Sequence, residues 1–131
     1  MNKESCKVLV VDDERDNADT TVVLLQMWGH EAEAAYSPED AISKAMALDP
    51  DVVLMDIGMP VMNGFDLAQE LRRYCPAAKF VALTGYTRAD IVRQARDAGF
   101  ARVLTKPATA KVLEQAVETE CAATSSTGRA F

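Results

Sequence analysis

Short apolar runs alternate along the chain with longer segments in which apolar residues recur at helical spacing. The apolar runs lie at 7–11, 31–35, 51–55, 79–83 and 102–105. The helical segments lie at 16–28, 37–48, 64–74, 88–98 and 109–122. Alternation of this kind is typical of repeated βα units around a buried parallel sheet. The pattern predicts an α/β fold with a doubly wound sheet of five parallel strands and five helices.

Residues at the ends of these segments support the predicted boundaries. Ser37-Pro38 reads as a helix N-cap followed by proline at the first helical position, and Gly29 and Gly99 each follow a helical segment. The run at 31–35, Glu-Ala-Glu-Ala-Ala, alternates in polarity but is rich in residues with low strand propensity. It is therefore expected to be an edge strand.

Length and composition indicate one domain. The 131 residues, 49% of them hydrophobic, can bury one core but are too few for two ordinary domains. The last residues, Thr-Ser-Ser-Thr-Gly-Arg-Ala-Phe, are mostly small and polar and have no apolar period. We therefore expect a domain over residues 1–123 and a flexible C-terminal tail over 124–131.

The sequence predicts a soluble cytoplasmic protein. No stretch approaches the roughly 18 apolar residues that a membrane span needs, and no apolar signal core follows the first residues. Cys6, Cys75 and Cys121 are widely spaced and form no Cys-x-x-Cys or Cys/His pattern. They are expected to be reduced thiols with packing or surface roles.

Charge is distributed unevenly between the two halves of the chain. The net charge is −6, but residues 1–70 hold 15 acidic against 4 basic side chains, and residues 71–131 hold 5 against 10. The overall acidity argues against direct nucleic-acid binding, which normally needs a basic face. The basic second half fits either a solvated surface or a surface for an acidic partner.

Polar residues suited to phosphate and metal chemistry follow four of the five predicted strands. Asp12-Asp13 follows the first strand, Asp56 the third, Thr84 the fourth and Lys106-Pro107 the fifth. The carboxyl ends of parallel strands lie at one edge of a sheet, where such folds bind ligands. These side chains are therefore expected to meet in one pocket, although each alone also fits a cap, a turn or a surface ion pair.

The residue types in this pocket match the needs of phosphoryl transfer. A carboxylate such as Asp56 can attack phosphorus and form an acyl phosphate. The adjacent acids Asp12 and Asp13 repel each other unless a cation lies nearby, and Mg²⁺ prefers carboxylate oxygens. Lys106 and Thr84 can neutralise and hydrogen-bond the phosphoryl oxygens. Pro107 permits a cis peptide after the lysine, with trans as the ordinary form.

Four motifs resemble the receiver domain of two-component response regulators, a chemotaxis-regulator-like family. They are Val-Leu-Val-Val-Asp-Asp-Glu, Val-Leu-Met-Asp-Ile-x-Met-Pro-x-Met-x-Gly, Ala-Leu-Thr-Gly and Leu-Thr-Lys-Pro, within a match from about Lys7 to Val117. The resemblance implies a flavodoxin-like sheet with strand order 2-1-3-4-5. It also implies a signalling domain whose only catalysis is its own phosphorylation and autodephosphorylation.

The resemblance implies a role for each site residue. Asp56 would accept a phosphoryl group from a histidine kinase or a histidine phosphotransfer protein. Asp13 and Asp56 would bind Mg²⁺ with the backbone carbonyl of Gly58, and Asp12 would act mostly through water. Thr84 and Lys106 would contact the phosphoryl oxygens.

The chain also departs from the family pattern. Val103 stands where family members carry an aromatic side chain that turns inward on activation, so the usual aromatic readout is not expected. Gly58 and Tyr86 occupy the two positions at which the family varies its rate of dephosphorylation. The stretch from Leu83 to Pro107 resembles receivers of hybrid sensor kinases, which favours a phosphorelay or stand-alone role.

Two other functions remain as alternatives. A receiver-like scaffold that is never phosphorylated would bind partners constitutively. A phosphatase with an aspartyl-phosphate intermediate would need an acid two residues after the nucleophile, where the chain has Gly58. The leading interpretation is a phosphorylated signalling module whose output is a changed surface on the helices at 88–98 and 109–122, recognised by a downstream protein.

Overall fold

The structure is a computed structural model that describes residues 5–58, 64–85 and 89–128, with side chains of the last helix described through Ala122. Five strands alternate with five helices along the chain. The strands are β1 (Lys7–Val11), β2 (Glu31–Ala35), β3 (Val52–Asp56), β4 (Lys79–Thr84) and β5 (Arg102–Thr105). The helices are α1 (Arg15–Met27), α2 (Pro38–Leu48), α3 (Gly64–Leu71), α4 (Ala89–Asp97) and α5 (Ala110–Gly128).

The strands form one parallel sheet in the order β2-β1-β3-β4-β5. The predicted α/β fold, doubly wound sheet and flavodoxin-like strand order are therefore confirmed. The chain passes from β1 outward to β2 and then back across β1 to β3. This change of direction opens a crevice beside the carboxyl ends of β1 and β3.

A hydrophobic layer covers each face of the sheet. Side chains alternate along β1, so that Leu9 and Val11 face the layer containing α2, α3 and α4, whereas Val8 and Val10 face α1 and α5. The central strands are buried on both sides, which explains their uninterrupted apolar sequence. This packing fixes the strand ends on which the polar residues lie.

The predicted helix boundary signals work as expected at several places. The Ser37 side chain accepts a hydrogen bond from the Asp40 N–H, and Pro38 begins α2. Gly29 and Gly99 adopt φ values of +96° and +93° immediately beyond α1 and α4. After each glycine the next N–H donates to a carbonyl five residues back, from His30 to Leu25 and from Phe100 to Ala95. These are Schellman-type helix ends.

Two predicted helix ends are wrong. Helix α3 ends at Leu71 instead of 74, because the N–H groups of Arg73 and Tyr74 donate to carbonyls three residues back and tighten the chain into turns. Helix α5 continues to Gly128 instead of ending at 122. No proline or glycine occurs between Ala122 and Gly128 to stop it. The boundary between a domain and a flexible tail at residues 123 and 124 stays a prediction.

The expectation of reduced cysteines is wrong for two of the three. Cys6 and Cys121 form a disulfide, with their Cα atoms 5.9 Å apart and a sequence separation of 115. Residues so distant in sequence leave no local pattern, and they meet because α5 runs back along the sheet to the start of β1. Cys75 is a free, buried thiol that donates a hydrogen bond to the Leu71 carbonyl. Burial raises the pKa of Cys75 to about 11, so it remains protonated.

Among the described residues, no helix has the length and apolar character that crossing a membrane requires.

Candidate functional site

Asp56 is the last residue of β3, at the centre of the sheet's carboxyl edge. It pairs in register with Leu83 of β4, and its side chain is largely buried. One carboxylate oxygen, Oδ1, accepts a hydrogen bond of 2.8 Å from the Gly58 N–H. A Cβ atom at Gly58 would lie 3.4 Å from this oxygen, in ordinary van der Waals contact. The turn after β3 therefore holds the Asp56 carboxylate in a defined direction.

Lys106 reaches the same carboxylate from the end of β5. Its Nζ lies 2.8 Å from Asp56 Oδ2 and 3.9 Å from Asp12 Oδ2. The Lys106 N–H donates to the Thr84 carbonyl at 2.8 Å, which fixes the backbone of β5 to that of β4 at this point. The Lys106-Pro107 peptide is cis, the form that the sequence had permitted without requiring.

Asp12 and Asp13 complete an acidic cluster with Asp56. One carboxylate oxygen from each of the three lies within 4.8 Å of the others. Asp12 is buried, and its Oδ1 accepts a hydrogen bond from the Glu14 N–H at 2.9 Å. Asp13 is partly exposed. The three strand-end acids are thus brought together as the sequence predicts.

The electrostatics of the cluster are unfavourable for three ionised carboxylates. Burial raises the pKa of Asp12; the Glu14 N–H and Lys106 oppose that shift, and Asp56 and Asp13 add to it. Burial by itself lowers the pKa of Lys106, but the hydrogen bond and charge of Asp56, together with Asp12 and Glu14, raise it above its ordinary value. One ammonium therefore faces a surplus of negative charge.

A hard divalent cation fits this donor set. Three carboxylates converge at the edge of the sheet, and the charges of Asp56 and Asp13 add to the burial that raises the pKa of Asp12. Mg²⁺ prefers such oxygen ligands and needs only one or two carboxylates when waters and phosphate supply the rest. The coarse prediction of a magnesium-type acidic cluster agrees with this arrangement.

Thr84 and Val103 lie on β4 and β5, the two strands on the side of β3 away from β1. Thr84 ends β4, is 1% exposed and pairs in register with Thr105. Val103 is partly buried and packs against the hydrophobic layer of α2, α3 and α4. Tyr86, which the sequence placed near the site, lies outside the described residues.

The prediction from sequence overlooked two features beside the cluster. Glu14 supplies the N–H that binds Asp12, and its charge contributes to the raised pKa of Lys106. Its position directly after two acids was the available signal. A groove of 480 Å³ also runs from Asp12 and Lys106 between α1 and α5, with Thr20, Leu24 and Leu113 among its lining residues. Only the packing of two helices distant in sequence creates this groove.

Comparison with known proteins decides the family. The family model for the response regulator receiver domain matches residues 8–118. The chain belongs to this family. The receiver domain is also similar to chemotaxis protein CheY4 of Vibrio cholerae, with 28% identity, a TM-score of 0.82, and coverage of 88% of this chain and 98% of that one.

Curated relatives are longer proteins that contain a similar receiver domain. A response regulator receiver protein of Anaeromyxobacter sp. is 36% identical over 101 residues, which are 77% of this chain and 42% of the relative. The autoinducer 1 sensor kinase/phosphatase LuxN of Vibrio campbellii is 36% identical over 85 residues, 65% of this chain and 10% of the relative. This receiver domain thus spans less than half the length of these relatives.

Membership of the family gives the general function. The receiver domain is a signalling module of two-component systems, in which phosphorylation on an aspartate is the common property, and histidine kinases are the usual phosphodonors. The family is one of signalling domains, as the sequence predicted.

Proposed function

We propose that Asp56 is the phosphoacceptor of this receiver domain and that its phosphorylation changes a partner-binding surface. The observation that carries the proposal is the position of Lys106, whose Nζ lies 2.8 Å from Asp56 Oδ2 at the edge of the three-acid cluster. One site thus contains a carboxylate that can act as nucleophile, an ammonium group that can neutralise the phosphoryl oxygens, and carboxylates that can bind a metal ion.

In the proposed reaction, a carboxylate oxygen of Asp56 attacks phosphorus as the bond from phosphorus to the donor's nitrogen or oxygen breaks. Negative charge then lies on the phosphoryl oxygens. The Lys106 ammonium, which is hydrogen-bonded to Asp56 before the reaction, can move to bind one of these oxygens. Thr84, held at the end of the neighbouring strand, supplies a hydroxyl to another phosphoryl oxygen. Hydrolysis of the acyl phosphate is likewise the domain's own reaction.

Mg²⁺ is the cofactor of this proposal. Asp13, Asp56 and the backbone carbonyl of Gly58 would hold it directly, with Asp12 binding mostly through water. When bound, the cation neutralises the acidic cluster and the incoming phosphoryl charge. Asp12 keeps its hydrogen bond to the Glu14 N–H in this role.

The proposed partners are proteins in the cytoplasm. A histidine kinase or a histidine phosphotransfer protein donates the phosphoryl group, and a downstream protein recognises a changed surface on α4 and α5. Thr84 provides the link to that surface by moving toward the phosphate. Val103 lacks the aromatic ring that family members turn inward, so the threonine carries the change without it.

The test is intact-mass measurement after incubation with Mg²⁺ and acetyl phosphate. The wild-type chain should gain a single phosphoryl group, and Asp56→Asn should gain none. Asp66→Asn is the matched control, because Asp66 is an exposed aspartate in the first turn of α3, outside the cluster. It should be phosphorylated like the wild type.

Two results would contradict the proposal in different ways. Modification that persists unchanged in Asp56→Asn would place the acceptor at another residue. An unmodified wild type would favour the constitutive scaffold instead.

A further inference from the structure

A covalent bond joins the two ends of the fold at the edge of the sheet opposite to the acidic cluster. Cys6 directly precedes β1, while Asp12 directly follows it. Because β1 has five residues, the disulfide and the acids are separated by about 16 Å or more of extended chain. The disulfide between Cys6 and Cys121 is therefore a feature distinct from the candidate phosphorylation site.

The cysteine at the start of β1 is held firmly in place. Its N–H donates to His30 Nδ1 at 3.1 Å, and its carbonyl accepts from the Glu31 N–H at 2.9 Å. The side chain is 4% exposed and belongs to the hydrophobic layer under α1 and α5. Cys6 thus provides a fixed anchor that does not depend on α5.

The disulfide ties the second half of α5 to this anchor. The buried face of the helix consists of Leu113, Ala116, Val117 and then Cys121, at helical spacing. Beyond Val117, the contacts between α5 and the sheet side of the molecule include the disulfide and a 3.3 Å ion pair between Glu120 and Arg102. Arg102 is partly exposed and Glu120 is buried, so this ion pair holds the helix together with the disulfide.

We propose that Cys6 and Cys121 are a reversible redox pair that controls the anchoring of the C-terminal half of α5. Oxidation removes two protons and two electrons from the two thiols as the S–S bond forms. The electrons pass to the disulfide of a small-molecule or protein thiol/disulfide couple, which is released as two thiols, and reduction is the reverse exchange through a mixed disulfide. The pair adds a redox input that acts on α5 without passing through Asp56.

Burial makes the pair dependent on the motion of α5. Cys121 is 1% exposed, so an external thiol reaches the bond only when the last turns of the helix open. Once the bond is reduced, the thiols fit the same apolar layer, since a free cysteine packs as a small hydrophobe. The folded domain persists in both states, and the frequency at which the end of α5 opens differs between them.

The first experiment maps the thiols. The whole chain is incubated with oxidised glutathione, denatured in guanidinium with N-ethylmaleimide, and weighed before and after reduction with dithiothreitol. Wild type should carry one adduct before reduction, at Cys75, and three after it. Cys75→Ala should carry no adduct before reduction and two after it. Cys6→Ala, which cannot form the disulfide, should carry two adducts both before and after reduction. Three adducts on the unreduced wild type would overturn the proposal.

The second experiment measures amide hydrogen exchange in the oxidised and reduced wild type. Exchange over residues 116–122 should become at least tenfold faster on reduction and should then exceed that of β3, because the end of α5 opens by itself whereas β3 exchanges only when the whole domain unfolds. Returning the sample to oxidised glutathione should restore slow exchange. Equal exchange in both states, or a reduced chain that does not recover, would refute control of α5 by the pair.

Two comparisons separate this proposal from a general loss of stability and from the proposed phosphorylation. The double variant Cys6→Ala/Cys121→Ala should exchange like the reduced wild type and ignore dithiothreitol, whereas Cys75→Ala should respond as the wild type does. Phosphorylation by acetyl phosphate should proceed within twofold in both redox states. A reduced chain that loses phosphorylation together with slow exchange in every element would contradict local control.

Discussion

Lys106 balances the charge of the candidate site. Its ammonium lies 2.8 Å from Asp56 and 3.9 Å from Asp12, and its side chain is 29% exposed. Burial alone lowers its pKa, but Asp56, Asp12 and Glu14 together raise it above the ordinary lysine value. Lys106 therefore stays positively charged through the neutral pH range.

Lys106→Met is expected to slow phosphorylation by acetyl phosphate by about tenfold to a hundredfold, as for loss of one preorganised charge at a developing anion. Lys44→Met is the matched control, because Lys44 is similarly exposed and pairs with Asp40 at 3.5 Å on α2. Its rate should equal that of the wild type. The measurement is the growth of the phosphorylated mass with time, and equal rates for the two variants would argue against a role for Lys106.

Asp12→Asn tests the electrostatic cost of the acidic cluster. Burial raises the pKa of Asp12, so the folded state favours the protonated carboxyl and stability falls as pH rises from the unfolded pKa through the folded one. At neutral pH and without a cation, the ionised side chain is therefore destabilising. The variant should melt a few degrees higher than the wild type in EDTA, because the free energy of unfolding should rise by about 1 kcal/mol.

The same variant should respond less to Mg²⁺. A cation that binds only the folded chain raises its melting temperature, and removing a carboxylate weakens that binding. Thermal melts in EDTA and in Mg²⁺ measure both effects, with Asp66→Asn as a control that keeps the wild-type response. An unchanged magnesium shift in Asp12→Asn would place the cation elsewhere.

Two helix ends with the same conformation differ in their surroundings. Gly29 and Gly99 have nearly equal positive φ angles and the same pattern of backbone hydrogen bonds. A Cβ atom at Gly29 would meet nothing within 4 Å, whereas at Gly99 it would lie 2.6 Å from Arg72 Nη2. The Arg72 guanidinium is in turn stacked over the buried ring of Phe80 at 4.7 Å. The turn after α4 is therefore packed against the end of α3, and the turn after α1 is open.

Alanine at these two glycines should separate backbone strain from packing. Gly29→Ala is expected to lower the free energy of unfolding by about 1 kcal/mol, the cost of a side chain at positive φ. Gly99→Ala should cost about 1–2 kcal/mol more, since the Arg72 guanidinium must also leave its site. Urea denaturation measures both values. Equal losses at the two positions would show that Arg72 moves without cost.

The sequence predicted elements well where one residue type imposes a local conformation. Ser37-Pro38 marks the start of α2, and Gly29 and Gly99 mark the helix ends, because these residue types favour capping or positive φ without help from distant parts of the chain. The end of α3 escaped prediction because hydrogen bonds from Arg73 and Tyr74 tighten the chain without any glycine or proline. The end of α5 escaped because a polar sequence without a stop signal remains helical to Gly128.

At the scale of the whole molecule, the candidate site was predictable and the disulfide was not. Asp12, Asp56 and Lys106 could be placed together because parallel strands put their carboxyl ends at one edge. Their distances, and the orientation of Asp56 by the Gly58 N–H, needed the folded chain. Cys6 and Cys121 come together only because the whole chain folds, and no motif or spacing in the sequence indicates their pairing.

Opening this disulfide should destabilise the whole domain as well as α5. The bond closes a loop of more than a hundred residues and restricts the unfolded chain, so its loss is expected to cost about 2–4 kcal/mol. Guanidinium denaturation of the wild type with and without dithiothreitol measures this cost. Cys6→Ala/Cys121→Ala should give the same denaturation curve with and without dithiothreitol. A wild type whose denaturation curve does not change with dithiothreitol would contradict the expectation.

The bond between Cys6 and Cys121 also determines how the domain would carry a mechanical load. A force applied to residues outside the pair, at 1–5 and beyond 121, is transmitted through the S–S bond. The five strands between the two cysteines then bear no load. After reduction the same pull would act on β1 and peel it from β2 and β3, its neighbours in the sheet. In a single-molecule stretching experiment, the oxidised chain should therefore extend by its ends alone, and the reduced chain by nearly its full contour length.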